Sequence, residues 1–146
     1  MRSIGKKLAV LLAIVVFPAA AQIPAEERTD LVPWRVFSQV KLVRQKDRYV
    51  PRFSPEVAAL DQKIVSVRGF MIPLEMGKQQ THFLVSSLPQ TCPFCLPGGP
   101  EAMVEVKSKT PVKYGFEPLV LSGKLSVLKS DPTGIFYRLT EAAPAQ

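Results

Sequence analysis

Short runs of period-two hydrophobicity, prolines between nearly all of those runs, and glycines set inside two of them predict an all-β protein. The chain has 146 residues, enough for one domain of ordinary size. Its composition, 47% apolar and 21% charged, is that of a globular chain and excludes global disorder. About five to seven short strands and one short helix fit a small, partly open barrel of the oligonucleotide/oligosaccharide-binding (OB) kind, with a β-sandwich as the alternative. No segment has the length and period of a crossover helix, which disfavours an α/β layout.

The N-terminal segment comes first in order and has another purpose. Arg2, Lys6 and Lys7 precede an apolar run from Leu8 to Phe17, then Pro18 and three alanines. A basic start, an apolar run of this length and small residues before a cut after Ala21 predict a cleavable export signal over residues 1–21. The run is about half of what spans a bilayer as a helix, so no permanent membrane anchor is expected. The absence of a Cys after the alanines gives no sign of a lipid anchor. The formal charge of +7 falls to +4 without this segment, 16 basic residues against 12 acidic. Nucleic-acid binding then loses most of its support, and a periplasmic location is expected.

Residues 22–31 are polar and aperiodic and are read as a flexible leader. From Val32 the pattern is strand-like, with Trp34, Val36, Ser38, Val40 and Leu42 on one side and Arg35, Phe37, Gln39, Lys41 and Val43 on the other. Arg44, Lys46, Arg48 and Arg52 surround the single Asp47. This basic stretch reads first as a solvated hairpin or loop. The sharper reading is contact with an acidic partner or phospholipid head groups. Ser54-Pro55-Glu56 supplies a cap, a first-turn proline and an acidic first turn, predicting a short helix from Pro55 to about Leu60.

Two later strands repeat one design. Val65–Met71 and Leu119–Leu125 alternate apolar and polar residues until Gly69 and Gly123 take inward positions. A glycine there marks a bend, a bulge or a close backbone approach, and small barrels need such bends. Shorter strands are expected over His82–Ser86, Met103–Lys107 and Ile135–Leu139, the last after the turn signal Ser130-Asp131-Pro132-Thr133-Gly134. The single domain is placed at residues 32–141, with a flexible tail over 142–146.

The chemistry is concentrated in Leu88–Glu101, which holds both cysteines, Cys92 and Cys95. In an exported chain three uses compete: a local disulfide, a redox pair, and two thiolate ligands for a soft metal. Redox catalysis needs a helix N-terminus at the first thiol to lower its pKa. Pro97, Gly98, Gly99 and Pro100 follow too closely for such a helix to propagate. A metal site needs further ligands, and His82 is the chain's one imidazole. It is expected to point away from Phe83 and Val85, on the side of Leu84 and Ser86. Glu101, Glu105, water or a partner would complete the set. Cys92, Cys95 and His82 therefore form the candidate metal site, for zinc ahead of copper, with the Cys92–Cys95 disulfide as the alternative. With a single histidine and no phosphate-cradling loop, no enzyme class is indicated.

The run Lys63–Leu74, then Phe83-Leu84-Val85-Ser86, the cysteine loop with Pro97-Gly98-Gly99-Pro100, and Val120–Leu139 resemble a family of small exported bacterial proteins, domain of unknown function 3299. The resemblance covers roughly residues 34–140, and its most specific element is Gly69-Phe70-Met71-Ile72-Pro73-Leu74 followed by a proline-rich cysteine loop. The commoner family pattern has one Cys followed by a His, and Cys95 stands near that second position here. The resemblance implies an exported accessory protein whose partner is an ABC-type membrane transporter or another periplasmic protein, with zinc supply as one role. The expected function is metal binding or delivery without turnover. A structural or interaction module with a disulfide comes second, and a thiol–disulfide redox protein third.

Overall fold

The structure is a computed structural model that describes residues 31–92 and 95–145. The expected export signal at 1–21 and nearly all of the leader lie outside the described residues. The elements run α1 (Trp34–Phe37), β1 (Val40–Gln45), β2 (Arg48–Phe53), α2 (Pro55–Ala58), β3 (Ile64–Pro73), β4 (Gln79–Ser86), a 3-10 turn (Pro100–Ala102), β5 (Met103–Lys113), β6 (Leu119–Val127) and β7 (Tyr137–Pro144). The protein is all-β, as the alternation predicts, and none of its described helices is long and apolar enough to cross a membrane.

Strands β3-β4-β5-β7-β6 form one barrel, which is closed where the sequence suggested a partly open one. Closure depends on β7, which pairs in parallel with β5 and antiparallel with β6. The inward residues of the alternating strands, among them Val67, Phe83, Val85, Val104, Leu121 and Leu139, join in one buried core.

The two inward glycines sit where the ladder changes. β3 pairs with β6 from Ile64 to Gly69 and with β4 from Phe70 to Pro73, so Gly69 is the last residue before the strand changes neighbours. A Cβ on Gly69 would lie 2.6 Å from Cγ1 of Val85 and would overlap the backbone carbonyl of Ser86. Gly123 lies at a register shift between β6 and β7, where a Cβ would come within 2.8 Å of the Thr140 oxygen. Both positions are close backbone approaches, the reason glycine occupies them.

The continuous strand expected from Val32 is corrected. Trp34–Phe37 form a helical turn after Pro33, and the strand begins only at Val40. Strand alternation would bury one of the neighbours Val36 and Phe37 and expose the other, whereas both are buried. Tertiary contacts hold the turn. Trp34 Nε1 donates to the Arg68 carbonyl at 2.7 Å, and the Phe37 carbonyl accepts from the Tyr137 hydroxyl at 2.6 Å. The basic stretch does form a hairpin, β1 paired with β2, as a sheet of its own. The helix at Pro55 forms with Ser54 as its cap, the hydroxyl accepting from Val57 N at 3.2 Å. At the other end, the tail expected from residue 142 is instead strand: β7 continues to Pro144, with Ala142 fully buried. Ile135 precedes that strand and packs with Ile72, Leu84 and Met103 in a second small cluster.

Candidate functional site

Cys92 and Cys95 form a disulfide, with Cα atoms 5.2 Å apart. The loop is drawn tight by its own backbone, since Cys95 N donates to the Cys92 carbonyl at 3.1 Å. Gln90 Nε2 donates to the Cys95 carbonyl at 3.2 Å and anchors the same turn from the N-terminal side. On the other side, Ser87 N donates to the Ala102 carbonyl at 3.0 Å, so the ends of the loop meet beside β4 and β5. No α-helix is found at Cys92 or Cys95, and the 3-10 turn begins only at Pro100, beyond the Pro-Gly-Gly run. Among the described residues, no helix N-terminus lies at either cysteine to lower a thiol pKa. Leu88 and Leu96 flank the bridge with their side chains largely exposed.

His82 is placed on β4 as its strand period requires, on the side of Leu84 and away from the core. Its Nε2 meets Glu105 Oε1 at 2.7 Å across the β4–β5 ladder. The structure does not bring His82 together with the two cysteines: among the described residues no group of three or more His, Cys, Asp or Glu is placed to hold a metal ion.

What His82 joins is a charged chain that sequence reasoning did not assemble. Glu105, nearly buried, also accepts from Arg138 Nε on β7, its partner in the parallel β5–β7 register. Arg138 Nη2 donates to Asp131 Oδ2 at 3.0 Å, and Asp131 Oδ1 accepts from Thr133 N at 2.9 Å. Burial pushes the Glu105 carboxyl up, yet the hydrogen bonds from His82 and Arg138 outweigh it and hold it below the usual carboxylate value. Hydrogen bonds from Thr133, with Arg138 adding to them, likewise hold Asp131 low. The only sign in the sequence was an outward charge between inward residues, Glu105 between Val104 and Val106, and Arg138 between Tyr137 and Leu139. That sign does not say that the two are neighbours, because a parallel β5–β7 pairing cannot be read from local spacing.

The charged chain ties three strands together on the outside of the barrel, and its contribution should show in acid. Glu105→Gln is expected to cost about 1–3 kcal/mol at neutral pH, since it weakens charge-assisted hydrogen bonds at a nearly buried site. The folded carboxyl titrates below its ordinary value near 4.5, so its contribution is complete above that pH. It is lost as the pH falls through the lower folded value. Denaturant unfolding followed from neutral pH into that acid range should show a steeper loss in the wild type than in Glu105→Gln. Identical slopes would mean that Glu105 is not ionised in the folded state.

A family model described as "Protein of unknown function (DUF3299)" matches residues 20–141. The chain belongs to the DUF3299 family. The match contains the whole segment, about residues 34–140, on which the sequence resemblance rests. A solved DUF3299 family protein from Pseudomonas aeruginosa PAO1 is similar with a TM-score of 0.50 and 23% identity, over 60% of this chain and 64% of that one. The alignment thus covers less than two thirds of that protein's length, and at this identity the likeness speaks for the DUF3299 fold alone. Among curated proteins nothing matches.

Proposed function

We propose that this DUF3299 protein is an exported, periplasmic binding module without turnover, accessory to a membrane transporter or another periplasmic protein, with its cysteine loop locked by a structural disulfide. The observation that carries this reading is the cysteine pair itself, bonded with Cα atoms 5.2 Å apart, while the one imidazole of the chain is taken by Glu105. A bridge over so short a loop adds only about 2 kcal/mol through the unfolded state, so its use is local: it fixes the loop beside β4 and β5. The same closeness supports a second reading, in which the reduced pair offers two thiolates to zinc, or less readily to Cu(I).

Zinc titration by calorimetry separates the two. As-isolated protein is expected to give no zinc heat, and the Cys92→Ser/Cys95→Ser variant is expected to fold with a loss of about 2 kcal/mol or less. After reduction, any zinc heat should vanish in that double variant and stay unchanged in His82→Ala. Zinc bound by as-isolated protein, weakened by His82→Ala, would restore the three-ligand metal site.

A further inference from the structure

The hairpin β1–β2 has features that a merely solvated loop does not need. Between Val40 and Phe53 it carries Lys41, Arg44, Lys46, Arg48 and Arg52 against Asp47 alone. The register sets Lys41 directly opposite Arg52, and like charges in that position are destabilising. The same face continues with Val43 opposite Val50 and Gln45 opposite Arg48. The ion pairs among the described residues are all elsewhere, so these cations are uncompensated within that part of the chain.

The hairpin is nevertheless held firmly at its base. Val40 and Phe53 pack on the core, and the Phe53 ring meets Phe136 and Tyr137 at 5.9 and 5.7 Å. Beyond that base a cleft of about 550 Å³ separates the basic face from the body of the protein. It is bordered by Val43, Val50, Arg48, Arg52 and, across from the hairpin, Val127 and Lys129. Among the described residues its one carboxylate is Asp61, which already accepts from Val127 N at 2.9 Å. Cations alternating with valines along a concave wall match an extended chain whose side chains alternate acidic and apolar.

We propose that this cleft receives an extended acidic segment of a protein partner, laid along the Lys41–Arg52 face of the hairpin. A bilayer fits less well. The exposed apolar side chains Leu42 and Tyr49 lie on the opposite face from Arg48 and Arg52, so one flat surface cannot use both. The proposal deepens the binding-module reading, on which it rests, by giving the partner a chemical class.

Selection of a random peptide library on the mature, oxidised protein tests it. Selected peptides should be rich in Asp and Glu interleaved with apolar residues, and their binding should weaken with salt. Arg48→Glu/Arg52→Glu should weaken a selected peptide about tenfold or more, while Arg48→Lys/Arg52→Lys should retain most of the binding. Both positions are exposed, and Arg52→Glu replaces a like-charge pair with Lys41 by an opposite-charge one, so the melting temperature should not fall. Selected peptides without acidic enrichment, unchanged binding by the charge-reversed variant, or binding to phosphatidylglycerol vesicles in place of peptides would each overturn the proposal. The Cys92→Ser/Cys95→Ser variant should bind the same peptides, so a failure of the disulfide reading is distinguishable from a failure here.

Discussion

Gly69→Val is expected to destabilise the barrel by about 3 kcal/mol or more. The added Cβ would lie 2.6 Å from Val85 Cγ1 and overlap the Ser86 carbonyl. The Val85 side chain is fully buried, and the Ser86 backbone is fixed by its pairing with Phe70. Neither neighbour can move without opening the ladder at the residue where β3 passes from β6 to β4. Denaturant unfolding at neutral pH measures the loss, and an unchanged midpoint would show that Gly69 is an ordinary strand position.

Phe37→Ala should cost about 3–5 kcal/mol, the range for removing a fully buried aromatic ring. The ring centroid lies 4.8 Å from that of Tyr137 in an edge-on contact, and no part of Phe37 is exposed. Tyr137→Phe keeps the packing and removes only the hydroxyl that bonds the Phe37 carbonyl, so about 1–3 kcal/mol is expected there. Burial, with the Glu101 charge adding to it, pushes the Tyr137 phenol up, which keeps that donor protonated at every pH of interest. If residues 34–37 were the strand that their alternation suggests, Phe37 and Val36 would face opposite ways, and either Phe37→Ala or Val36→Ala would be nearly neutral. The helical turn makes both costly.

The contrast between these two regions explains how much of the fold was legible. Gly69 and Gly123 could be read because an inward glycine in an alternating strand conflicts with local preference and needs a tertiary reason. Ser54 and Pro55 could be read because a cap acts within one turn. Trp34–Phe37 misled because a run this short carries both periods, and only the distant Arg68 and Tyr137 decide between them. Residues 142–144 misled for a similar reason: small residues near a chain end look like a tail until β6 and β5 are placed on either side. At the site, the cysteine pair and the outward side of His82 were legible from spacing. The Glu105–Arg138–Asp131 chain was not, since it exists only once β5 and β7 lie side by side.

The most direct test of the disulfide-locked, exported module is the intact mass of the protein made with its export segment, recovered from the periplasm without reductant and treated at once with a thiol-blocking reagent. The expected product is a chain beginning at Gln22, unlabelled, two hydrogens lighter than its reduced form and free of metal under native conditions. A chain labelled on both Cys92 and Cys95 after unfolding, and carrying zinc before it, would contradict the disulfide-locked binding module.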